Sequence, residues 1–326
     1  MVYLVTGGAG FIGSNLAEAL VAQGGTVRVL DNFSAGKREN LRFPGSEKVE
    51  VIDGDIRDSD TCRAALKGVE IVFHEAALGS VPRSIEDPPT THDVNITGTL
   101  NMLVAARDAR VKRFVFASSS SVYGDKAGSG GEECTAKNEA MKTEPLSPYG
   151  ISKLAAEEYC RIFCPLYGLE TVSLRYFNVF GPRQSHLSEY AAVIPRFIEA
   201  LLGGRRPIVY GDGGQSRDFT FVRDVVNANL LAARVPGIGG EVLNVACSRR
   251  YSLLDLLGEL RSITASTIEP RFEEARRGDI RHSMADIGRA RQRMGFEPAW
   301  SFRQGLEVTV DWYRKNLGVS GIGYRV

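Results

Sequence analysis

A tyrosine and a lysine stand four residues apart in the stretch SPYGISK, at Tyr149 and Lys153. On a helix this spacing places both side chains on one face, so that a phenol and an ammonium group share one cleft. A free phenol has a pKa of about 10 and is a poor base at neutral pH, whereas a neighbouring cation favours the phenolate and lowers that pKa. The two residues are therefore either a general base with its electrostatic partner or ordinary neighbours on a solvated helix.

Three glycines near the N-terminus, Gly7, Gly10 and Gly13, follow a short apolar run and precede an amphipathic helical pattern. Glycine at this spacing permits a tight turn, a close approach of the backbone to a pyrophosphate and close packing of the helix on its strand. The free N–H groups and the positive dipole end of the helix then face the phosphates. Glycine turns also occur without ligands, but the order strand, turn, helix is that of a dinucleotide site.

An acidic residue, Asp31, ends the next apolar run, TVRVL, eighteen residues after Gly13. That is close to the separation of about 20 residues expected for the acid that binds an adenosine ribose. A carboxylate there accepts from both ribose hydroxyls and repels a 2′-phosphate, which favours NAD over NADP. The alternative is a strand-end aspartate that caps a turn. The stretch GDIRD, after a third strand, places Asp55 where it meets the adenine.

Strand-like and helix-like segments alternate through the first half of the chain, in VYLVT, TVRVL, VEVI, VEIVFHEAA and VKRFVFASSSS. This alternation predicts an α/β fold with a doubly wound parallel sheet of the Rossmann type, whose ligand lies at the carboxyl ends of the strands. Beyond about residue 175 the pattern is less regular. We expect an NAD-binding domain over residues 1–175, with later segments returning to it, and mainly a smaller α/β substrate-binding lobe over residues 176–326.

The composition is that of a globular enzyme, with 326 residues, 43% of them hydrophobic, and a formal net charge of +1. Neither nucleic acid nor a membrane is an expected partner, because no strong basic charge and no apolar stretch of about 18 residues is present. The N-terminus lacks the basic region of a signal peptide, and five cysteines without a paired framework suit a reducing compartment. We therefore expect a cytoplasmic protein. The four histidines are scattered, and no metal site is assigned.

Taken together, these motifs resemble the extended short-chain dehydrogenases/reductases, in particular the NAD-dependent epimerase/dehydratase family. The resemblance rests on TGGAGFIG, Asp31, HEAA, SSSSVYG and YGISK, and covers nearly the whole chain. It implies that Tyr149 is the general base, that Lys153 is its partner and binds the nicotinamide ribose, and that Ser119 bonds the reacting oxygen. The other serines of the run are as readily explained by backbone bonding at a strand end.

The same resemblance implies bound NAD, and it assigns fourteen residues to the cofactor. They are Gly7, Gly10, Phe11, Ile12, Gly13, Asp31, Asn32, Asp55, Ile56, Ala76, Ala77, Tyr149, Lys153 and Tyr176.

Within the family, the serine run separates the reaction types. Sugar-nucleotide 4,6-dehydratases carry an Asp-Glu pair immediately after the serine or threonine that corresponds to Ser119, and UDP-glucuronate decarboxylases carry a glutamate in that stretch; here the residues are Ser120 and Ser121. This implies a UDP-hexose 4-epimerase that works through a transient 4-keto sugar with NAD retained. A UDP-glucuronate 4-epimerase, which usually has threonine in place of Asn178, a net oxidoreductase and a noncatalytic NAD sensor are the alternatives.

A substrate pocket for a UDP-sugar also follows from the resemblance. Tyr210 would stack on uracil, arginines would bind the diphosphate in pairs of hydrogen bonds, and the loop AALGSVPRSIEDP resembles that of UDP-N-acetylglucosamine 4-epimerases. The assigned residues are Gly79, Ser80, Ser119, Tyr149, Asn178, Val193, Tyr210, Arg217, Arg276, Asp279 and Ser283.

Sugar size is expected to depend on Ser283, four residues after Asp279 in GDIRHSMAD. Epimerases confined to glucose and galactose often have tyrosine there, so a serine implies room for a 2-N-acetyl group. The alternative is that Ser283 is a loop residue and another group narrows the pocket. Two further expectations are a homodimer that pairs the helices around DVNITGTLNMLVAARDA and SPYGISKLAAEEYCRIF, and a surface loop over residues 125–144.

Overall fold

The computed structural model describes residues 1–125, 135–185, 192–275 and 281–317. The strands are β1 (Val2–Thr6), β2 (Thr26–Asp31), β3 (Val49–Asp53), β4 (Ile71–His74), β5 (Arg113–Ser119), β6 (Thr171–Tyr176), β7 (Val179–Phe180), β8 (Ile208–Tyr210), β9 (Ser216–Arg217), β10 (Thr220–Phe221), β11 (Glu241–Val245), β12 (Tyr251–Ser252) and β13 (Arg271–Glu273). The helices are α1 (Phe11–Ala22), α2 (Ser59–Ala65), α3 (Val81–Glu86), α4 (Pro88–His92), α5 (Thr99–Asp108), α6 (Pro148–Tyr167), α7 (Val193–Leu202), α8 (Val222–Arg234), α9 (Leu253–Thr264), α10 (Gly288–Met294) and α11 (Phe302–Asn316).

Seven strands form one parallel sheet in the order β11-β6-β5-β4-β1-β2-β3. The predicted doubly wound α/β fold is confirmed. The chain runs outward from β1 through β2 and β3 and then continues at β4 on the other side of β1, so the strand order reverses between β1 and β4. Strands β4, β5 and β6 are buried along their whole length, as expected for parallel strands covered on both faces. Ligands of such sheets bind at the carboxyl ends of the strands beside this reversal.

Helices cover both faces of the sheet. On one face α1, α8 and α10 pack around residues such as Leu16, Val225 and Met294. On the other face α2, α5 and α6 enclose a second cluster that includes Leu103 and Phe163. Full burial of one large apolar side chain contributes roughly 1.5–3 kcal/mol, so these two layers hold the sheet rigidly beneath its carboxyl edge.

A third apolar cluster belongs to the later part of the chain, where α7, α9 and α11 surround a group of packed phenylalanines. Phe219 and Phe302 stack with ring centroids 5.4 Å apart. The chain nevertheless returns to the main sheet, because β11 pairs in parallel with β6. The expected division at residue 175 falls inside β6. Among the described residues, no helix combines the length and the apolar character that crossing a membrane requires.

The polar stretch expected as a surface loop is partly packed into the fold. Lys137 is only 3% exposed, and its ammonium group donates to the carbonyl of Gly124 at 2.9 Å. Its backbone N–H bonds Met284, and its own carbonyl accepts from the side chain of Asn244. The other described residues of the stretch are exposed or partly exposed, as a surface loop requires, and Lys137 is the buried exception, whose ammonium group is held by a fixed carbonyl. Residues 126–134 lie outside the described part of the chain.

Candidate active site

A cavity of about 930 Å³ lies at the carboxyl ends of the strands, beside the reversal between β1 and β4. It brings together residues that are up to 310 positions apart in the sequence, from Gly7 in the glycine turn to Leu317 after α11. The predicted site residues that line it are Gly7, Gly10, Phe11, Ile12, Gly13, Asp31, Asn32, Asp55, Ile56, Ala76, Ala77, Gly79, Ser119, Tyr149, Lys153, Tyr176 and Asn178.

The glycine turn is shaped so that side chains are excluded from it. Gly7 has φ +65°, and a Cβ there would lie 2.7 Å from the backbone nitrogen of Ala76. A Cβ at Gly13 would overlap the carbonyl of Gly7. Helix α1 starts at Phe11, and among the described residues no side chain caps it, so its first N–H groups face the cavity. This backbone cradle fits the pyrophosphate of a dinucleotide.

Asp31 combines the two roles that its position suggested. Its carboxylate accepts from the backbone N–H of Ala9 at 2.9 Å and from that of Phe33 at 2.8 Å, so it does cap the turn. It also lines the cavity and is only 7% exposed. Burial raises its pKa, and the two N–H donors oppose that rise. Since each carboxylate oxygen accepts two hydrogen bonds, capacity remains for a ribose diol.

The carboxylate of Asp55 is already engaged by protein groups. Arg57 donates to it from two nitrogens, and Asn32 donates to it at 2.8 Å. These bonds, above all those from Arg57, lower its pKa to about 2. Asp55 therefore lines the predicted adenosine end of the cavity as a fixed, ionised group that shares its oxygens with two neighbours.

Ser119 and Tyr149 meet at the end of β5. The side chain of Ser119 hydrogen-bonds the Tyr149 hydroxyl and accepts from the N–H of Ser121 at 3.1 Å. Tyr149 lies in the first turn of α6, which Ser147 caps by accepting from Gly150 N at 3.1 Å. The serine cap and the proline after it are what begin the helix at this point.

Lys153 reaches the same wall of the cavity one turn further along α6. It is buried, its Nζ donates to the carbonyl of Ala117 at 2.7 Å, and it lies 5.0 Å from the ring centroid of Phe116. Burial lowers its pKa to about 8, and the charge of Glu75 opposes that change. Because an ammonium group has three donors, two remain for other partners.

The pKa of Tyr149 departs from the expected direction. Burial raises it, the hydrogen bond from Ser119 lowers it, and the charge of Glu75 raises it further. The lowered phenol pKa expected from Lys153 is therefore not found in the protein by itself, because loss of solvation outweighs the favourable contacts. A further positive charge in the cavity, such as an oxidised nicotinamide ring, is needed to favour the phenolate.

Sequence reasoning did not assign roles to two polar residues of this site, Glu75, which is partly buried, and Asn95. Glu75 lines the cavity and accepts from the Tyr176 hydroxyl at 2.8 Å. Asn95 is 2% exposed; it accepts from Leu78 N at 2.8 Å and donates to the Ser152 hydroxyl at 3.0 Å, which ties the loop after β4 to α6. The signal available in the sequence for Glu75 was a charged residue directly after the mainly apolar strand β4, which lies at the reversal of the sheet. Asn95 carried no comparable local signal.

A second cavity of about 260 Å³ adjoins the first, since Asn178 lines both. The predicted residues Val193 and Arg217 line it as well, together with Gln215, which the sequence did not single out. This cavity extends the site toward the lobe that contains the third apolar cluster.

Other predicted substrate residues lie elsewhere. Ser80 caps α3 by accepting from Arg83 N at 3.2 Å, and it lines neither cavity. Tyr210 and Ser283 also line neither cavity. Ser283 is 6% exposed and donates its N–H to the carbonyl of Ser216 at 3.1 Å. The predicted residues Arg276 and Asp279 lie outside the described residues.

Known proteins are similar to this chain over most or nearly all of its length. A model of the NAD dependent epimerase/dehydratase family matches residues 3–246. A UDP-glucose 4-epimerase of Mycolicibacterium smegmatis is 40% identical over 95% of this chain and 98% of the relative. Among solved structures, a UDP-N-acetylglucosamine 4-epimerase of Methanobrevibacter ruminantium M1, in complex with UDP-N-acetylmuramic acid, is 40% identical with a TM-score of 0.90 and covers 96% of this chain and 98% of that one. A UDP-glucose 4-epimerase of Thermotoga maritima with UDP-glucose is 38% identical with a TM-score of 0.90, over 97% and 100%.

Proposed function

The chain belongs to the NAD-dependent epimerase/dehydratase family and is an NAD-dependent sugar-nucleotide 4-epimerase, and we propose that it interconverts UDP-glucose with UDP-galactose and UDP-N-acetylglucosamine with UDP-N-acetylgalactosamine. The observation that carries the proposal is the convergence of Ser119, Tyr149 and Lys153 on the cavity that the glycine turn also lines. Two structural relatives of nearly the same length are UDP-sugar 4-epimerases, which supports the same reaction.

In the proposed reaction Tyr149 takes the proton from the sugar 4-hydroxyl and later returns it. NAD, when bound, supplies the hydride acceptor for C4 and gives the hydride back, so the reaction has no net redox change. Ser119 already hydrogen-bonds the Tyr149 hydroxyl, so a sugar oxygen placed between them is within reach of both side chains. Burial raises the pKa of the Tyr149 phenol, so formation of the phenolate depends on positive charge beside it.

Lys153 supplies fixed positive charge beside the base. Its bond to the Ala117 carbonyl orients the ammonium group, and its two remaining donors are free to bind ribose hydroxyls. The charge favours the phenolate when the proton leaves, and the same group holds the cofactor in place. Retention of the cofactor is required, because its release would strand the 4-keto sugar.

We assign the nucleotide half of the substrate to the second cavity. Arg217 and Asn178 line it and offer donors to a diphosphate, while Val193 and Phe219 give it an apolar wall. Arginine suits this role because its planar guanidinium group binds phosphate oxygens in pairs. The sugar then extends toward Tyr149 in the larger cavity, which Asn178 joins to the smaller one.

The experiment for substrate breadth replaces Ser283 by tyrosine. Ser283 is buried beside the strand that carries Arg217, a residue of the smaller cavity, so a phenol at this position must displace its neighbours, and we propose that this narrows the space for the 2-N-acetyl group. We expect Ser283→Tyr to abolish turnover of the two N-acetylated sugars while sparing UDP-glucose and UDP-galactose. The measurement is kcat/KM for all four sugars, and for UDP-glucuronate, on both proteins.

Other outcomes of that measurement contradict the assignment. Equal loss on all four sugars, or no loss on the acetylated pair, removes Ser283 as the size gate. If the native protein turns over UDP-glucuronate and none of the four other sugars, the proposed substrates are wrong and the substrate is a UDP-hexuronate.

A further inference from the structure

Glu75, the acidic residue of the HEAA motif, follows β4 and lines the larger cavity. Strands β4 and β5 are paired so that His74 lies opposite Phe116, and the next residues along the two strands are Glu75 and Ala117. The carbonyl of Ala117 is the group to which Lys153 donates at 2.7 Å. Glu75 and Lys153 therefore reach the same end of the sheet, and their charges interact.

A short chain of hydrogen bonds fixes Glu75 as an acceptor. The Tyr176 hydroxyl donates to Glu75 Oε1 at 2.8 Å, and the side-chain amide of Asn229 donates to that same hydroxyl at 2.8 Å. Tyr176 is 7% exposed and Asn229 is fully buried. Since a phenol has one proton, and Asn229 occupies its oxygen from the other side, that proton is directed at Glu75.

Glu75 also occupies a distinct place among the acids of the cavity. In the described part of the chain the acidic residues that line it are Asp31, Glu39, Asp55 and Glu75. The first three lie on the side of β2 and β3, whereas Glu75 lies on the side of Lys153. Glu157, one turn beyond Lys153 on α6, is paired with the guanidinium group of Arg175 and lines neither cavity.

We propose that Glu75 is a positioning residue whose carboxylate is the counter-charge that keeps Lys153 protonated and whose bond to Tyr176 fixes a wall of the cofactor cavity. Its importance for turnover rests on the proposed function, in which Lys153 must carry its charge. The pairing of the two charges is a property of the chain alone and is measurable without substrate.

The direction of the expected effect follows from the groups that face Lys153. Burial lowers the pKa of Lys153 to about 8, and the negative charge of Glu75 is the first of the groups that raise it. Burial raises the pKa of Glu75 to about 7, while Tyr176 and Lys153 lower it. Removal of the Glu75 charge therefore shifts the Lys153 titration to lower pH.

The other titratable groups around this pair stay uncharged near neutral pH. Burial lowers the pKa of His74 to about 3, so its ring is neutral. Burial raises the pKa values of Tyr149, Tyr176 and Cys160, so these groups keep their protons. A titration of Lys153 thus responds chiefly to Glu75, whose charge raises the Lys153 pKa more than Cys160 does.

The test follows the ¹³Cε chemical shift of Lys153 with pH in protein carrying ¹³C-labelled lysine and no added ligand. Lys153→Arg identifies the signal by its loss. We expect a midpoint near pH 8 in the native protein. In Glu75→Gln we expect the proton affinity of Lys153 to fall at least roughly tenfold, because the interaction between two unit charges in a partly buried setting is lost. Glu39→Gln removes an exposed acid of the same cavity and is expected to leave the midpoint unchanged.

An unchanged midpoint in Glu75→Gln, or an equal shift in Glu39→Gln, overturns the proposal. Glu75→Asp keeps the charge and is expected to restore a midpoint close to the native one. If Glu75→Gln does not fold, Tyr176→Phe is the second test. Because the Tyr176 hydroxyl lowers the pKa of Glu75, its removal leaves Glu75 less ionised and must also move the Lys153 midpoint to lower pH.

The second readout is the pH profile of turnover with a UDP-sugar. The alkaline limb is expected at lower pH in Glu75→Gln than in the native enzyme, and an unchanged limb contradicts the role of Glu75 in turnover. Native protein that turns over no UDP-sugar contradicts the proposed function, while the lysine titration still decides whether Glu75 charges Lys153.

Discussion

Tyr149 is placed by contacts that reach beyond its own helix. Its backbone N–H donates to the Ser84 hydroxyl at 3.0 Å, and its phenol hydrogen-bonds Ser119. The side chain is thus held at the end of β5 before any ligand binds. Because burial raises the phenol pKa, the residue starts each cycle protonated unless positive charge is added to the cavity.

Tyr149→Phe removes the phenolic oxygen and keeps the ring. We expect the fold and NAD binding to persist while kcat falls by at least about 10²–10⁴-fold, since a positioned acid-base group contributes on that order. Tyr159→Phe, ten residues further along α6, is the matched control and should keep native kcat. Native activity in pure Tyr149→Phe protein would remove Tyr149 as the base.

At the level of secondary structure, the turn between β1 and α1 depends on the absence of side chains. Gly13 lies in α1 with the carbonyl of Gly7 where its Cβ would be, so the helix and the strand touch through backbone atoms. Gly258 lies in α9, and no atom other than those of its own helix and chain neighbours lies within 4 Å of its Cβ position. A methyl group is therefore expected to clash at Gly13 and to be accommodated at Gly258.

Gly13→Ala is expected to weaken NAD binding by at least about tenfold, because the turn must open to accommodate the methyl group. Gly258→Ala should instead stabilise the protein by roughly 0.5–1 kcal/mol and leave NAD affinity unchanged. Calorimetric titration with NAD and thermal unfolding of both variants provide the measurements. Native NAD affinity in Gly13→Ala would show that the close backbone approach is not needed.

The elements that the sequence predicts best are those whose signals are local. The glycine turn lies within seven residues, and the start of α6 is marked by Ser147 and the proline after it. Glu75 was missed because its meaning depends on Tyr176, 101 residues away in sequence, and on the pairing of β4 with β5. The burial that raises the pKa of Tyr149 in the chain without ligand was not foreseen, because burial by distant elements is not visible in a local motif.

At the level of the whole molecule, the alternation of strands and helices predicts the fold class. A return of later segments to the sheet was also expected, but neither the identity of the returning strand, β11, nor the burial of Lys137 was predicted. Both depend on contacts between segments about 70 to more than 100 residues apart, such as those of β11 with β6 and of Asn244 with Lys137. The predicted residues Tyr210 and Ser283 line neither cavity, so their roles stay predictions.

The homodimer also remains a prediction, and α6 is one of the helices expected at its interface. Ile151, Leu166 and Tyr167 of that helix are apolar and 54%, 65% and 50% exposed, so they are sites at which the prediction can be tested. We expect sedimentation at micromolar concentration to give a dimer and Leu166→Glu to weaken it, with Leu254→Glu on α9 as the control. A monomer for the native protein contradicts the prediction.

The central claim is that this enzyme inverts C4 of a UDP-sugar without net oxidation. The most direct measurement incubates the purified protein with UDP-N-acetylglucosamine and with UDP-glucose, without added NADH, while products are resolved by chromatography and absorbance is followed at the nicotinamide band. The account predicts conversion to the C4 epimers up to equilibrium with no accumulation of NADH. Stoichiometric NADH with an oxidised sugar, or no conversion of any UDP-sugar by protein that holds NAD, would contradict it.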